Sequence, residues 1–295
     1  MVSNINKTRE ILQLIALIIS SLIVAFVIPT IIGTAFGGFE QLSVLDIYFQ
    51  KTLVYTLFLI IGLLIIISLV VAKLIKPDSP ASYIIHDPKN AYLPNIKGFR
   101  WLNSFRRTFL VAIILFPIIG LLSITTNTFF TGLPQTEFQV TNAGKVAFET
   151  EPASTSETIF FGAIMFLLLT LFKWLQKKFN WSNNTFLLMS MFFISIIIGL
   201  LGIGYHSIRY EGQERNILAV FGFFSIGTFL TISTGSLIFW WIWHISNNFF
   251  GILKILFAKE SILLITSLIL FIILIIIIIY FINSKKIKQN KDFSE

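Results

Sequence analysis

His244 and Asn248 stand four residues apart in "TGSLIFWWIWHISNNFFG", a run in which little else is polar. Four residues is one helical turn, so the two side chains share a helix face about 6 Å apart along the axis. An imidazole and a carboxamide so placed can orient one oxygen atom, each offering an N–H to a developing oxyanion. Two further polar groups mark the ends of apolar runs: Glu157 follows "EPASTS", and His206 closes "LLGIGYH". A carboxylate beside an imidazole can hold a water molecule and take its proton. Glu157, His206, His244 and Asn248 are therefore the candidate catalytic residues, and the chemistry they suggest is amide hydrolysis without a covalent nucleophile. Glu and His also bind metals, so a divalent ion is a second use of the same donors. Two His and one Glu spread over three helices nevertheless lack the local spacing of a zincin.

The elements that must carry these residues follow from composition. The chain has 295 residues, is 56% hydrophobic and only 12% charged, and contains 32 phenylalanines. Such a balance does not describe a water-facing surface. Crossing a hydrocarbon core takes about 20 predominantly apolar residues. Runs of that kind occur at 11–33, 52–75, 108–130, 158–174, 185–206, 217–233, 235–252 and 261–283. The expected fold is an all-α polytopic membrane protein, a bundle of about eight transmembrane helices with a small hairpin loop on its outer face. The first run follows Lys7 and Arg9 as a signal peptide would, but it is long and lacks a small-x-small cleavage site, so it reads as a retained membrane helix. The sixth and seventh are joined only by "STGS", a tight helical hairpin. The eighth has a core without polar groups and is expected to face lipid.

Lysine and arginine bias loops to the cytoplasmic side. With the N terminus inside, 16 of the 22 basic residues fall on inside segments; Lys51, Lys145, Arg209, Arg215, Lys254 and Lys259 fall outside. Both termini are then expected in the cytoplasm, with the chain in the cell membrane. The net charge of +8 is absorbed by this asymmetry. It implies contact with anionic lipid headgroups and no nucleic-acid partner. There is no cysteine, which excludes disulfides, cysteine nucleophiles, cysteine–zinc sites and prenylated tails. In this topology Glu157 starts an inward-running span, His206 ends an outward-running one and His244 lies just past the middle of another. All three fall in the outer half of the bilayer. Ionisable groups in spanning helices are costly and usually face the bundle interior, so one shared site is expected.

Two loops have content of their own. Residues 76–107 are Pro-rich and end in a basic aromatic stretch, where Ile96, Phe99, Leu102 and Phe105 recur at helical spacing. A short interfacial helix is expected there, with His86 a solvated loop histidine. In "TEFQVTNAGKVAFET", Phe138, Val140, Val146 and Phe148 alternate with polar residues around "NAG". That pattern predicts a small β-hairpin lying as a lid over Glu157. The organisation reads as an N-terminal region at 1–130, an outer loop at 131–157, a core at 158–255 and a C-terminal helix with a basic tail at 256–295.

Each residue also has a structural reading. His206 can be an interfacial anchor beside Tyr205 and Tyr210, Asn248 a helix–helix hydrogen-bond donor, and Glu157 a first-turn residue behind a Ser154, Thr155 or Ser156 cap. Trp240, Trp241 and Trp243 read as packing.

At this point the motifs resemble the CAAX-protease and bacteriocin-processing (CPBP, or Abi) family of intramembrane proteases. "TGSLIFWWIWHISNNFFG" is similar to the family's last motif, a TGSLW-type turn before a helix bearing HxxxN, with His244 and Asn248 as its polar pair. "LLGIGYHSIRY" is similar to the second motif, FxxxH, with His206 as the histidine and Gly202 where the family has Phe. The first motif, EExxxRG, aligns on the glycine of "SETIFFG". Ser156 then stands at the first glutamate, Glu157 at the second and Phe161 at the arginine. The resemblance covers roughly residues 150–255. It implies an endopeptidase acting on a membrane-associated or exported peptide, with Glu157 and His206 activating water and His244 and Asn248 holding the oxyanion. The departures in the first motif define a second expectation, a catalytically inactive relative that binds a peptide or serves as an immunity protein. A transporter or channel is a third, disfavoured because neither an internal repeat nor a matched pair of broken spans is present.

Overall fold

The computed structural model describes residues 2–28, 30–31, 45–131, 143–207 and 214–256, with the side chains of 121–131, 143–151 and a few other segments left undescribed. The described chain is helical almost throughout. In chain order it forms α1 (Val2–Leu22), continued by a π-helical segment Ile23–Val27, then α2 (Leu45–Ile75), α3 (Phe105–Thr131) and α4 (Ala143–Phe179). α5 (Asn183–Met189) runs through a second π segment, Ser190–Ile194, into α6 (Ser195–His206). α7 (Glu214–Thr234) and α8 (Ile238–Leu256) complete it. No strand occurs among the described residues, only a single antiparallel bridge between His86 and Ser236.

Five helical segments are long and apolar enough to cross a membrane: Lys7–Val27, Leu53–Ile75, Pro152–Phe179, Asn183–His206 and Asn216–Thr234. The protein is an integral membrane protein of the all-α polytopic class, with lipid as its surroundings. Helices satisfy every internal backbone group without water, which is why this composition folds so. α3 and α8 coincide with two more of the expected spans. The eighth, at 261–283, lies outside the described residues.

α4 is the central helix. It packs along α2 and α8 and against the π segment that ends α1. Close approach is made by glycines: a Cβ on Gly62 of α2 would meet the Ile159 backbone at 3.0 Å, and one on Gly120 of α3 would meet the Asn247 nitrogen at 2.9 Å. Pairs of small residues are how membrane helices approach, since lipid gives them no hydrophobic drive to associate. Lipid-facing positions such as Ile15, Ile19, Ile60 and Leu64 are exposed, while Ile66, Ile159, Phe166, Ile198 and Trp240 are buried.

Two expectations are corrected here. Residues 143–151, read as one strand of a lid hairpin, are the first turns of α4, which continues through Pro152 as one helix. The partner strand at 138–140 lies outside the described residues. α4 therefore crosses the expected boundary at residue 157, and Ser154, Thr155 and Ser156 are interior helical residues, not caps. Second, the loop after α2 is neither α-helical nor loosely solvated. It forms three 3₁₀ turns, Pro88–Asn90, Leu93–Asn95 and Lys97–Asn103, and tucks against the α7–α8 turn. Asp87 N–H donates to Gly235 O at 2.8 Å, and Leu237 N–H donates to Ile85 O at 3.2 Å. Gly235 has φ +70°, and a Cβ there would meet Asp87 O at 2.5 Å, so the turn demands glycine. His86 is consequently buried (2% exposed), set edge-on against Phe105. Burial first, and the Arg9 charge second, hold its imidazole down at about 4.

Candidate functional site

Glu157, His206 and His244 come from three helices, α4, α6 and α8, and meet in the bundle interior. One carboxylate oxygen, Glu157 Oε2, lies 3.8 Å from His206 Nε2 and 3.8 Å from His244 Nε2. All three are buried, at 2%, 7% and 7% exposure. Asn248 follows one turn beyond His244 on α8 and is also buried.

The other nitrogen of each ring is anchored, which determines what Nε2 offers. His206 Nδ1 is 2.9 Å from Gly202 O. A carbonyl only accepts, so His206 carries its proton on Nδ1. His244 Nδ1 is 3.0 Å from Thr158 Oγ1, while the Thr158 hydroxyl donates to Ser154 O at 2.7 Å. With its single hydrogen already committed, Thr158 can only accept from His244 Nδ1–H. In their neutral forms both imidazoles therefore present a bare Nε2 lone pair towards the same carboxylate oxygen. A donor from His244 Nε2 to an oxyanion requires the imidazolium form, with Nδ1–H still held by Thr158. Low-dielectric surroundings favour arrangements that keep this trio neutral overall: one proton on the carboxyl with two neutral rings, or a carboxylate with one imidazolium.

The first turns of α4's membrane segment are buried on every side. Ser154, Thr155, Ser156, Glu157, Thr158 and Ile159 are all at most 2% exposed. Buried polar groups mostly carry hydrogen-bond partners, and Thr155 and Thr158 of this stretch do. Thr155 Oγ1 accepts from Trp241 Nε1 at 3.1 Å, so Trp241 braces α8 against α4 beside the site. Aromatic rings wall the trio. Phe224 lies against His206, His244, Phe161 and Trp240, and Phe223 against His244 at 4.7 Å between centroids. Tyr205 stacks edge-on to its neighbour His206.

The same contacts set the surroundings of positions 202 and 161. A Cβ on Gly202 would meet the Phe224 ring at 2.7 Å. Glycine at position 202 is what leaves room for the Phe224 ring of α7 beside His206. Phe161 packs on Phe224 with ring centroids 4.6 Å apart and lies tilted against Tyr205. Ser156 is buried with its hydroxyl unpaired.

Sequence reasoning found the three ionisable members but missed Thr158, Thr155, Trp241, Phe223 and Phe224. Thr158 is adjacent to Glu157, yet a threonine in a membrane helix carries no signal of its own. No group of three or more His, Asp or Glu among the described residues is placed to hold a metal ion.

Fold and site together define a polytopic membrane protein with one buried Glu–His–His cluster. The chain matches no family model, no curated protein and no solved structure.

Proposed function

We propose that this protein is an intramembrane endopeptidase of the CPBP type, hydrolysing a peptide bond of a membrane-associated or exported peptide. The observation that carries the reading is the convergence of two Nε2 atoms on one Glu157 oxygen, each at 3.8 Å. That spacing is longer than a direct hydrogen bond and is the kind across which a bound water or substrate oxygen bridges. In the reaction Glu157, oriented with His206, takes a proton from water as its oxygen attacks the carbonyl carbon. Asn248 Nδ2–H and His244, as imidazolium, stabilise the oxyanion. The tetrahedral adduct collapses with cleavage of the C–N bond, and the proton held by Glu157 passes to the leaving amine.

The basic residues support an orientation in the cell membrane with both termini cytoplasmic. Lys73, Lys76, Arg106, Arg107, Lys177 and Lys178 gather at the end of the bundle where the 76–104 loop folds. Glu157 then lies in the outer half of the membrane, on the side from which an exported peptide would approach, and nucleic acid has no role. Because the chain has no cysteine, single cysteines at Asn142 and Ser104 report sidedness. Outside reagent reaching 104 and not 142 would sink this orientation.

A second reading, a catalytically inactive peptide-binding or immunity protein, is favoured by Ser156 and Phe161 at motif positions where the family has charged residues. The two readings part in one experiment: peptide release and immunity compared across Glu157→Gln, His206→Ala and His244→Ala, each folded and expressed. Loss in all three supports hydrolysis. Survival of function in all three leaves the binding reading in its place.

A further inference from the structure

α1 stands away from α3 and α8, and the gap is a cavity of about 1050 Å³. That is the size of a large small-molecule site. One wall is α1 with its π-helical continuation, through Leu12, Ala16 and Val24; Phe109 of α3 and Trp241 and Ile245 of α8 form the other. The lining runs from Thr8 to Val24 along α1, which at 1.5 Å per residue is about 24 Å. One leaflet's share of the hydrocarbon core is about 15 Å, so the groove is long enough for a fatty acyl chain.

Its polarity is arranged end to end. Apart from Ser20, the polar lining residues Thr8, Arg9 and Gln13 collect at one mouth. Arg9 is exposed there, on the side of the bundle that also exposes Lys7, Arg106 and Arg107. The neighbouring carboxylate, Glu10, is engaged by the Tyr83 hydroxyl. A peptide laid in this groove would bring backbone N–H and C=O groups that apolar walls leave unpaired at a cost of several kcal/mol each. An acyl chain brings none. A zwitterionic headgroup would set its cation among the basic residues, whereas an anionic phosphate meets the Arg9 guanidinium fork, next to Gln13, whose Nε2 donates to His86 O at 3.2 Å.

We propose that the groove between α1, α3 and α8 is a binding site for one anionic glycerophospholipid, its acyl chain along α1 and its phosphate at Arg9. The site is separate from the Glu157 cluster, although Trp241 touches both: its ring lines the groove and its N–H is donated to Thr155.

Trp241 also makes the site measurable. The full chain is reconstituted in phosphatidylcholine vesicles, and phosphatidylglycerol or phosphatidylcholine with brominated chains is added. The difference in quenching between the wild type and Trp241→Phe isolates the Trp241 signal. Brominated phosphatidylglycerol is expected to quench Trp241 at mole fractions where brominated phosphatidylcholine does not. Arg9→Gln, an exposed change that leaves packing untouched, is expected to reduce that preference about fivefold, the effect of one basic side chain near a membrane surface. Ala16→Phe, which fills the groove, is expected to abolish it. Native mass spectrometry should retain one phosphatidylglycerol per wild-type chain. Equal quenching by the two lipids, a preference unchanged by Arg9→Gln, or retention of a fatty acid or lipidated peptide instead would overturn the proposal.

Discussion

Thr158→Val separates shape from hydrogen bonding at the one residue that fixes His244. Valine keeps the branched outline of threonine, so the fully buried site neither collapses nor overfills. What disappears is the acceptor 3.0 Å from His244 Nδ1. The ring is buried, 7% exposed, and a buried donor left unsatisfied costs about 1–3 kcal/mol. Thr158→Ser restores the oxygen and should recover most of that loss. At roughly 2–4 °C per kcal/mol for a chain of this size, melting in detergent should fall by several degrees in the valine variant. Imidazole ¹⁵N spectra provide the chemical readout, because only three histidines are present. Neutral His206 and His244 in the wild type should appear as Nδ1–H tautomers, and in Thr158→Val neutral His244 is expected to carry its proton on Nε2, facing Glu157. An unchanged His244 spectrum together with an unchanged melting temperature would refute the assignment of Thr158 as the group that sets this tautomer.

Three further outcomes follow from the same structure. His86, held at about 4 against an ordinary 6.5, stays neutral in the fold while the unfolded chain takes a proton. Stability should therefore be full above about pH 6.5 and lost as pH falls towards 4, by at most about 3 kcal/mol. Both its ring nitrogens are buried without hydrogen bonds, so His86→Phe should remove this pH dependence and leave melting at pH 7.5 equal or higher. Gly120→Ala sets a Cβ 2.9 Å from both the Asn247 nitrogen and the Ser246 Cβ; prying α3 from α8 should cost about 1–3 kcal/mol in a detergent melt and lower activity through Asn248. Trp241→Phe removes the N–H held by Thr155 at 3.1 Å and should cost about 1 kcal/mol while leaving the Glu157 cluster active.

The spans were legible because hydropathy in a membrane protein reports directly on burial in lipid, and the described helices fall where the apolar runs do. The meeting of Glu157, His206 and His244 was legible for a related reason. Three costly groups whose depths could be counted from alternating spans had few places to go other than one another. The helix at 143–151 was not legible, since the alternation of Val146 and Phe148 with polar neighbours suits a strand and is overridden by continuity with the membrane helix below. His86 was misread because its burial depends on where "STGS" turns, a contact across 150 residues that leaves no local pattern. The Gly202–Phe224 contact was equally hidden: no local pattern pairs a glycine on one helix with a ring on another.

The measurement that bears most directly on the central claim is cleavage itself. Proteoliposomes containing the wild type or Glu157→Gln, which removes the charge and proton-accepting oxygen without changing size, are given a library of single-span membrane peptides, and new termini are read by mass spectrometry. The account predicts wild-type cleavage within or next to the spanning segment and its loss by a factor of about 100 or more in Glu157→Gln. Identical new termini at similar rates from both proteins would contradict it.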